Sequence, residues 1–219
     1  MKIKIKVCCI KSIEEADLAI QMGASAIGLV SEMPSGPGVI SEELAAQISA
    51  AIPTGINKFL LTSKEESDSI ISQQRRVGAD TLQLCNQLSL AQYEELRRAI
   101  PRVSLVQVLH VLGEETLEEA LRIGPNVDGI LLDSGNPNAP VKELGGTGRV
   151  HNWEISKKIV EAVKTPVFLA GGLNANNIRD AIHVVRPFGV DVCSGVRTDG
   201  NLDRKKLSAF FEAIRSLQT

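Results

Sequence analysis

Residues 3–30 read IKIKVCCIKSIEEADLAIQMGASAIGLV, and this stretch contains one complete strand–helix–strand unit. Residues 3–7 and 26–30 are β-branched or aliphatic runs, as is typical of buried strands. Between them lie apolar residues at helical spacing: Ile13, Ala16, Leu18 and Ala19. Because parallel strands need a crossover connection, usually a helix, the stretch predicts a βαβ unit.

The same unit recurs along the whole chain. The other strand-like runs are residues 58–61, 81–84, 105–109, 129–132, 167–169 and 190–193. The other helix-like segments are residues 42–51, 65–77, 91–100, 115–123, 155–163, 177–185 and 203–217. Eight strands in 219 residues leave about 27 residues per unit, near the minimum for a βαβ crossover.

Two architectures fit this alternation, a doubly wound open sheet and a closed (β/α)8 barrel. The barrel is favoured by the count of eight and by the absence of a linker in the middle of the chain. Glycines and small polar residues follow several strands, and in a barrel those strand exits form the catalytic face. The sequence therefore predicts an α/β fold, with a single (β/α)8 TIM barrel domain over residues 1–219.

The composition excludes several classes of partner. The chain has 24 Lys and Arg against 26 Asp and Glu, and a net charge of −2 does not favour nucleic acid or an anionic membrane. The N-terminus alternates and shows no signal peptide, and no run is long enough to span a membrane, so we expect a cytoplasmic protein. The four cysteines are scattered and form no disulfide framework, which predicts reduced thiols.

Two side chains at strand exits are candidates for acid–base chemistry. Cys8 follows the first strand, where it is either a small buried hydrophobic residue or a thiolate base at the mouth of the barrel. Asp133 follows the sixth strand and is either a loop-capping aspartate or a general acid. A thiol and a carboxyl group at one mouth are suited to proton transfer at carbon.

Glycines after the last two strands indicate a phosphate site. Gly171 and Gly172 follow the seventh strand, and Ser194 and Gly195 follow the eighth. Ordinary turns are the alternative reading of each pair. However, barrels often hold phosphate at these two exits, where glycine lets backbone N–H groups approach an anion closely.

The longest irregular stretch, residues 134–150, follows the sixth strand and is rich in Gly and Pro. Loops of this length in a compact domain are usually functional or mobile. It contains Gly145 and Gly146, and its position after Asp133 predicts a lid that orders over bound ligand. The four cysteines match no zinc-ligand spacing, so no metal site is predicted.

Taken together, these motifs resemble those of the phosphoribosylanthranilate isomerase family of tryptophan biosynthesis. The matching segments occur in order over nearly the whole chain: residues 6–8 (KVC), 83–84 (QL), 131–133 (LLD), 145–148 (GGTG), 170–174 (AGGLN) and 191–196 (DVCSGV).

The resemblance implies a (β/α)8 barrel that catalyses an Amadori rearrangement of a small phosphosugar, without a metal or organic cofactor. It implies that Cys8 is the general base and Asp133 the general acid. The implied binding residues are Gly145, Gly146, Gly171, Gly172, Ser194 and Gly195. The possible further substrate contacts are Lys6, Gln83 and Arg197. We expect a monomer or a homodimer.

Several positions near the predicted catalytic face depart from the family pattern. Cys9 replaces a glycine after the catalytic cysteine, and Cys85-Asn86 replaces a His-Gly pair after the fourth strand. Arg197 stands where glutamate is usual, and the loop at residues 33–39 lacks an expected arginine. Losing one charge-assisted contact costs roughly 1.5–3 kcal/mol, which weakens substrate binding but still permits the reaction.

We hypothesise that Arg197 or Lys58 supplies the missing positive charge. Two rival functions stay open at this point. The first is a related phosphosugar isomerase with a different substrate, and the second is a barrel that binds a phosphate ligand without catalysis. The pairing of Cys8 with Asp133 disfavours the second, because a binding protein needs no acid and base.

Overall fold

The computed structural model describes residues 3–217, in which eight parallel strands form a closed barrel surrounded by eight helices. The strands are β1 (Lys4–Val7), β2 (Ala26–Val30), β3 (Asn57–Thr62), β4 (Thr81–Leu84), β5 (Ser104–His110), β6 (Gly129–Asp133), β7 (Val167–Leu169) and β8 (Gly189–Val192). The helices are α1 (Ile13–Met22), α2 (Glu42–Ala51), α3 (Ser67–Val77), α4 (Leu90–Ala99), α5 (Glu115–Ile123), α6 (Trp153–Ala162), α7 (Ile178–Val185) and α8 (Arg204–Arg215). Each strand pairs with the next and β8 pairs with β1, which confirms the predicted (β/α)8 barrel.

The ends of some strands differ from the prediction. β5 continues to His110 and β6 to Asp133, because these two residues are partners in the parallel ladder. β8 ends at Val192, so Cys193 lies just beyond it. Asp133 is therefore the last residue of its strand, held in the sheet at the edge of the barrel mouth.

Local signals explain where the helices begin and end. The Ser12 hydroxyl caps α1 by accepting a hydrogen bond from the Glu15 amide, at 3.2 Å, and Gly23 ends that helix in the left-handed region. Ser89 and Gln92 form a capping box at the start of α4. None of the helices within residues 3–217 is long and apolar enough to cross a membrane.

The apolar residues form two layers. The larger one lies between the strands and the helices, and it includes Ile5 and Val7 of β1. The smaller one fills the barrel interior, where Phe168 packs edge-on against Phe59 and Phe188 with ring centroids 6.0 and 5.4 Å away. This interior layer forms the floor beneath the catalytic face.

Two short strands after the barrel were not predicted. β9 (Arg197–Thr198) and β10 (Asn201–Leu202) form an antiparallel hairpin. Its turn residues, Asp199 and Gly200, both have positive φ, at 49° and 75°. An Asp-Gly pair is a strong hairpin signal, but strands of two residues are too short to show any alternation.

The prediction of four reduced cysteines is wrong for two of them. Cys9 and Cys193 form a disulfide, whereas Cys8 and Cys85 are free and buried. Because β1 and β8 are neighbours, their exits bring together two cysteines that are 184 residues apart in the sequence.

Candidate active site

A cavity opens at the carboxyl ends of the barrel strands, where the catalytic face was predicted. Its lining includes eight of the predicted site residues: Cys8, Gln83, Asp133, Gly145, Gly146, Gly171, Gly172 and Ser194. Among the described residues, three other predicted ones do not line it: Lys6, Gly195 and Arg197. One cavity therefore collects both candidate catalytic groups and most of the predicted binding residues.

The Cys8 thiol lies inside the barrel because side chains alternate along β1. Ile5 and Val7 point to the helices, whereas Cys8 belongs to the interior layer. Burial raises the pKa of Cys8 to about 11, and the positive charge of Lys6 opposes part of this rise. A pKa in this range favours the protonated thiol at neutral pH, next to a cation that favours its ionised form.

Lys6 is fully buried behind Cys8. Its ammonium group pairs with Asp191 Oδ2 at 2.7 Å and lies 5.3 Å from the centre of the Phe59 ring. Burial favours the neutral amine, but the charges of Asp191 and Cys8 and the hydrogen bonds to both groups together outweigh burial and raise the pKa of Lys6. Lys6 does not line the cavity and contacts Asp191 and the Phe59 ring, so a direct contact between Lys6 and the substrate stays a prediction.

Asp191 is a cavity residue that the sequence analysis missed. One carboxylate oxygen accepts from Lys6, while Oδ1 is buried and has no hydrogen-bond partner within residues 3–217. The sequence feature that could have identified Asp191 is its charge inside the apolar run of β8. In the β1–β8 ladder this charge lies directly opposite that of Lys6. Gln83 Oε1 is likewise buried without a partner in this part of the chain. Both oxygens are acceptors that a ligand can use.

Asp133 ends β6 with its carboxyl group buried at the cavity wall. Its Oδ1 accepts from the Ser134 amide at 2.7 Å, and the Ser134 hydroxyl lies 2.8 Å from that of Thr147. Burial raises the pKa of Asp133, although the hydrogen bond from Ser134 opposes the rise. A carboxyl group that retains its proton more readily than usual is suited to act as an acid.

At the exits of β7 and β8, the cavity is lined by backbone at residues that have no side chain or a small one. Gly171 and Gly172 have φ of 82° and 62°, and a Cβ on Gly172 would lie 2.7 Å from the Arg149 carbonyl oxygen. Gly195 does not line the cavity, but a Cβ on it would collide with the Leu173 carbonyl. Glycine is therefore required at these positions, and Ser194 completes this side of the cavity.

The long loop after β6 covers the cavity together with the loop after β2. The Ser35 hydroxyl donates to the Lys142 carbonyl at 2.7 Å, and the Lys142 ammonium pairs with Glu65 at 3.0 Å. Gly145 and Gly146 lie on the cavity side. Residues of the predicted lid segment therefore line the cavity, and its ordering over a bound ligand stays a prediction.

The structure contradicts the hypothesis that Arg197 or Lys58 supplies a charge for the substrate. The Arg197 guanidinium is buried against Glu15, with Nη1 3.0 Å from Oε1. Lys58 pairs with Asp80 at 3.4 Å, near the amino-terminal end of the barrel strands. Neither residue reaches the cavity.

Comparison with known proteins identifies the family of this site. The model of the N-(5'-phosphoribosyl)anthranilate (PRA) isomerase family matches residues 5–213. The chain belongs to this family. Relatives named N-(5'-phosphoribosyl)anthranilate isomerase include one from Methanosarcina acetivorans, 32% identical over 98% of this chain and 94% of its own. Another, from Haloferax volcanii, is 35% identical over 97% of this chain and 93% of its own.

Solved structures of the PRA isomerase family have the same architecture. The Thermotoga maritima enzyme superposes with a TM-score of 0.84 and 29% identity, over 98% of this chain and 99% of that one. A phosphoribosyl anthranilate isomerase in complex with reduced 1-(o-carboxyphenylamino)-1-deoxyribulose 5-phosphate superposes with a TM-score of 0.81 and 27% identity, with the same two coverages.

Proposed function

We propose that this chain converts N-(5'-phosphoribosyl)anthranilate into 1-(2-carboxyphenylamino)-1-deoxyribulose 5-phosphate, with Cys8 as general base and Asp133 as general acid. This is an intramolecular oxidation and reduction of the aldose–ketose type, and it belongs to tryptophan biosynthesis. One observation carries the assignment of roles: Cys8 and Asp133 line the same cavity as the glycine-rich exits of β7 and β8.

The proposed reaction has two proton transfers by side chains, followed by a tautomerisation. Asp133 donates its proton to the ribose ring oxygen, the bond from that oxygen to C1 breaks, and the nitrogen lone pair forms a protonated Schiff base. The Cys8 thiolate then removes the proton from C2, and the electron pair of that bond moves towards nitrogen to give an enolamine. In the tautomerisation C1 gains a proton, the C2 hydroxyl loses one, and C2 becomes the ketone carbon.

The environments of the two groups favour these roles. Burial raises the pKa of Asp133, which favours the protonated acid that the first step requires. The pKa of Cys8, about 11, is high for a base, but Lys6 and the cationic Schiff base both favour the thiolate. Both positive charges therefore stabilise the thiolate next to the proton that it removes.

The phosphate group is proposed to lie at the exits of β7 and β8. Backbone N–H groups of Gly171, Gly172, Ser194 and Gly195 would hold it without reorganising during the reaction. The other side of the cavity is apolar, with Val30, Leu61 and Leu144 in its wall. The anthranilate ring would pack there, at the opposite end of the ribose from the phosphate.

The decisive experiment follows the loss of fluorescence of freshly made phosphoribosylanthranilate. We expect turnover by the wild type and a fall in kcat of about 100- to 10,000-fold in both Cys8→Ala and Asp133→Asn. Asp128→Asn is the matched control, because Asp128 lies just before the other end of β6 and pairs with Arg97 at 2.6 Å. The control should retain wild-type turnover.

Two results would contradict this proposal. Turnover of a different phosphoribosylamine, but not of phosphoribosylanthranilate, would assign the site to another substrate. Binding of sugar phosphates without turnover would indicate a binding protein.

We also infer a cytoplasmic enzyme that is a monomer or a homodimer. A Thermotoga maritima relative is described as dimeric, and light scattering distinguishes the two states here.

A further inference from the structure

The buried Arg197 lies at the start of the β9–β10 hairpin, beside the exit of β1. Its guanidinium makes a two-pronged ion pair with Glu15 of α1, with Nη1–Oε1 at 3.0 Å and Nη2–Oε2 at 3.1 Å. Nη1 also donates to the Gly200 carbonyl at 3.1 Å. Such forked pairs are geometrically specific, so the position of this guanidinium is fixed by protein groups on two sides.

The same guanidinium holds the backbone at the catalytic cysteine. Nη2 donates to the Cys8 carbonyl at 3.2 Å and also to the Cys9 carbonyl. In an extended strand, successive residues face opposite ways, so two consecutive carbonyls do not reach one donor. They do so here because Cys9 has a φ of 63°, in the left-handed region that non-glycine residues rarely adopt.

The cost of that conformation must be offset by surrounding contacts. Arg197 provides one of them, at the residue where β1 stops and the chain turns. Glu15 anchors Arg197 from α1 and also accepts from the Leu202 amide at 2.9 Å and the Lys11 amide at 3.0 Å. The ion pair thus ties the hairpin, α1 and the exit of β1 together.

We propose that Arg197 is a positioning residue for Cys8, which sets the direction of the thiol in the cavity by holding the Cys8 and Cys9 carbonyls. Arg197 acts through the backbone, since it does not line the cavity and both of its Nη atoms donate to protein acceptors. The proposal rests on Cys8 serving as the base of the proposed reaction. It assigns a role to an arginine that the sequence analysis had expected at the substrate.

The test combines kinetics with the chemical reactivity of Cys8. In Arg197→Lys and in the double variant Glu15→Gln/Arg197→Met, we expect kcat to fall 10- to 100-fold and KM to change less than threefold. Alkylation of Cys8 by iodoacetamide at pH 8, followed by peptide mass spectrometry, should accelerate at least tenfold. The released thiol would become more exposed to solvent, and its pKa would fall from about 11 towards that of a free cysteine.

Slower catalysis together with faster alkylation distinguishes positioning from general destabilisation. Arg97→Ala is the matched control, because it removes another arginine–carboxylate pair at the opposite end of the barrel. Melting temperatures are measured first, and if the double variant does not fold then Arg197→Lys decides the question. Unchanged kcat and alkylation in a folded variant would overturn the proposal, as would a raised KM at constant kcat.

Failure of the proposed function would give a different result. A wild type that does not turn over phosphoribosylanthranilate contradicts the assigned reaction, whereas the alkylation comparison needs no substrate. Faster Cys8 alkylation in the Arg197 variants would then still show that this arginine positions the thiol.

Discussion

At the scale of single residues, the reactivity of Cys8 depends on a buried cation. The charge of Lys6 opposes the rise in the pKa of Cys8 that burial causes, so Lys6→Met should raise that pKa further. Below the pKa, each unit of increase lowers the thiolate fraction about tenfold. At each pH between 7 and 10, alkylation of Cys8 should therefore be at least roughly tenfold slower in Lys6→Met than in the wild type.

Removing Lys6 alone also leaves Asp191 buried without its partner, which is strongly destabilising in general. The double variant Lys6→Met/Asp191→Asn avoids this problem and should slow Cys8 alkylation in the same direction. If both variants alkylate at the wild-type rate across this pH range, Lys6 has no influence on the thiol.

Residues of the site differ in how far the sequence predicts them. Cys8 and Asp133 stand at strand exits within recognisable motifs, so their positions follow from the strand pattern alone. The roles of Asp191 and Arg197 cannot be predicted from the strand pattern, because they depend on which strand closes the barrel. Lys6 faces Asp191, and Arg197 meets Glu15, only after residues more than 180 positions apart become neighbours.

At the scale of elements, the loop after β6 depends on one glycine. Gly145 has a φ of 138°, and a Cβ there would lie 2.6 Å from Asp133 Oδ2. Gly145→Ala should therefore displace either the loop or the acid, and we expect kcat/KM for phosphoribosylanthranilate to fall at least tenfold. The loss would be measured in steady-state kinetics at matched enzyme concentration.

Gly55 is a control that separates the effect of the contact with Asp133 from the effect of backbone strain at a glycine with positive φ. Gly55 also has a positive φ, at 93°, but a Cβ there would meet nothing within 4 Å. Gly55→Ala should cost about 1–2 kcal/mol of stability, as expected for a left-handed residue, and leave kcat/KM unchanged. Equal kinetic losses in the two variants would mean that Gly145 acts through loop strain and not through Asp133.

The elements themselves were largely predictable because each βα unit buries its own apolar stripe. Residues 26–30, 81–84 and 167–169 were predicted with the bounds found in β2, β4 and β7. The hairpin of β9 and β10 was missed, because its two-residue strands are set by contacts with Glu15 and not by a local pattern. Periodicity thus predicts the repeated units and fails at the additions between them.

At the scale of the whole molecule, the barrel is closed by its most distant strands. β1 and β8 pair from Lys4 with Gly189 to Val7 with Val192, and the Cys8 amide donates to the Val192 carbonyl at 2.8 Å. The Cys9–Cys193 disulfide continues this seam beyond the strands. It was not predicted, because spacing alone cannot show which cysteines meet until the seam is known.

The disulfide should contribute measurably to the stability of the barrel, because it closes a loop of 184 residues. Disulfides that close long loops restrict the unfolded chain most, and their loss typically costs about 2–5 kcal/mol. We expect a phosphine reductant to lower the urea midpoint of the wild type by about 1 M or more. The variant Cys9→Ser/Cys193→Ser should start at the lowered midpoint and not respond to the reductant, because it retains only the free thiols of Cys8 and Cys85. A wild-type midpoint that does not change on reduction would show that the β1–β8 ladder closes the barrel without help from the disulfide.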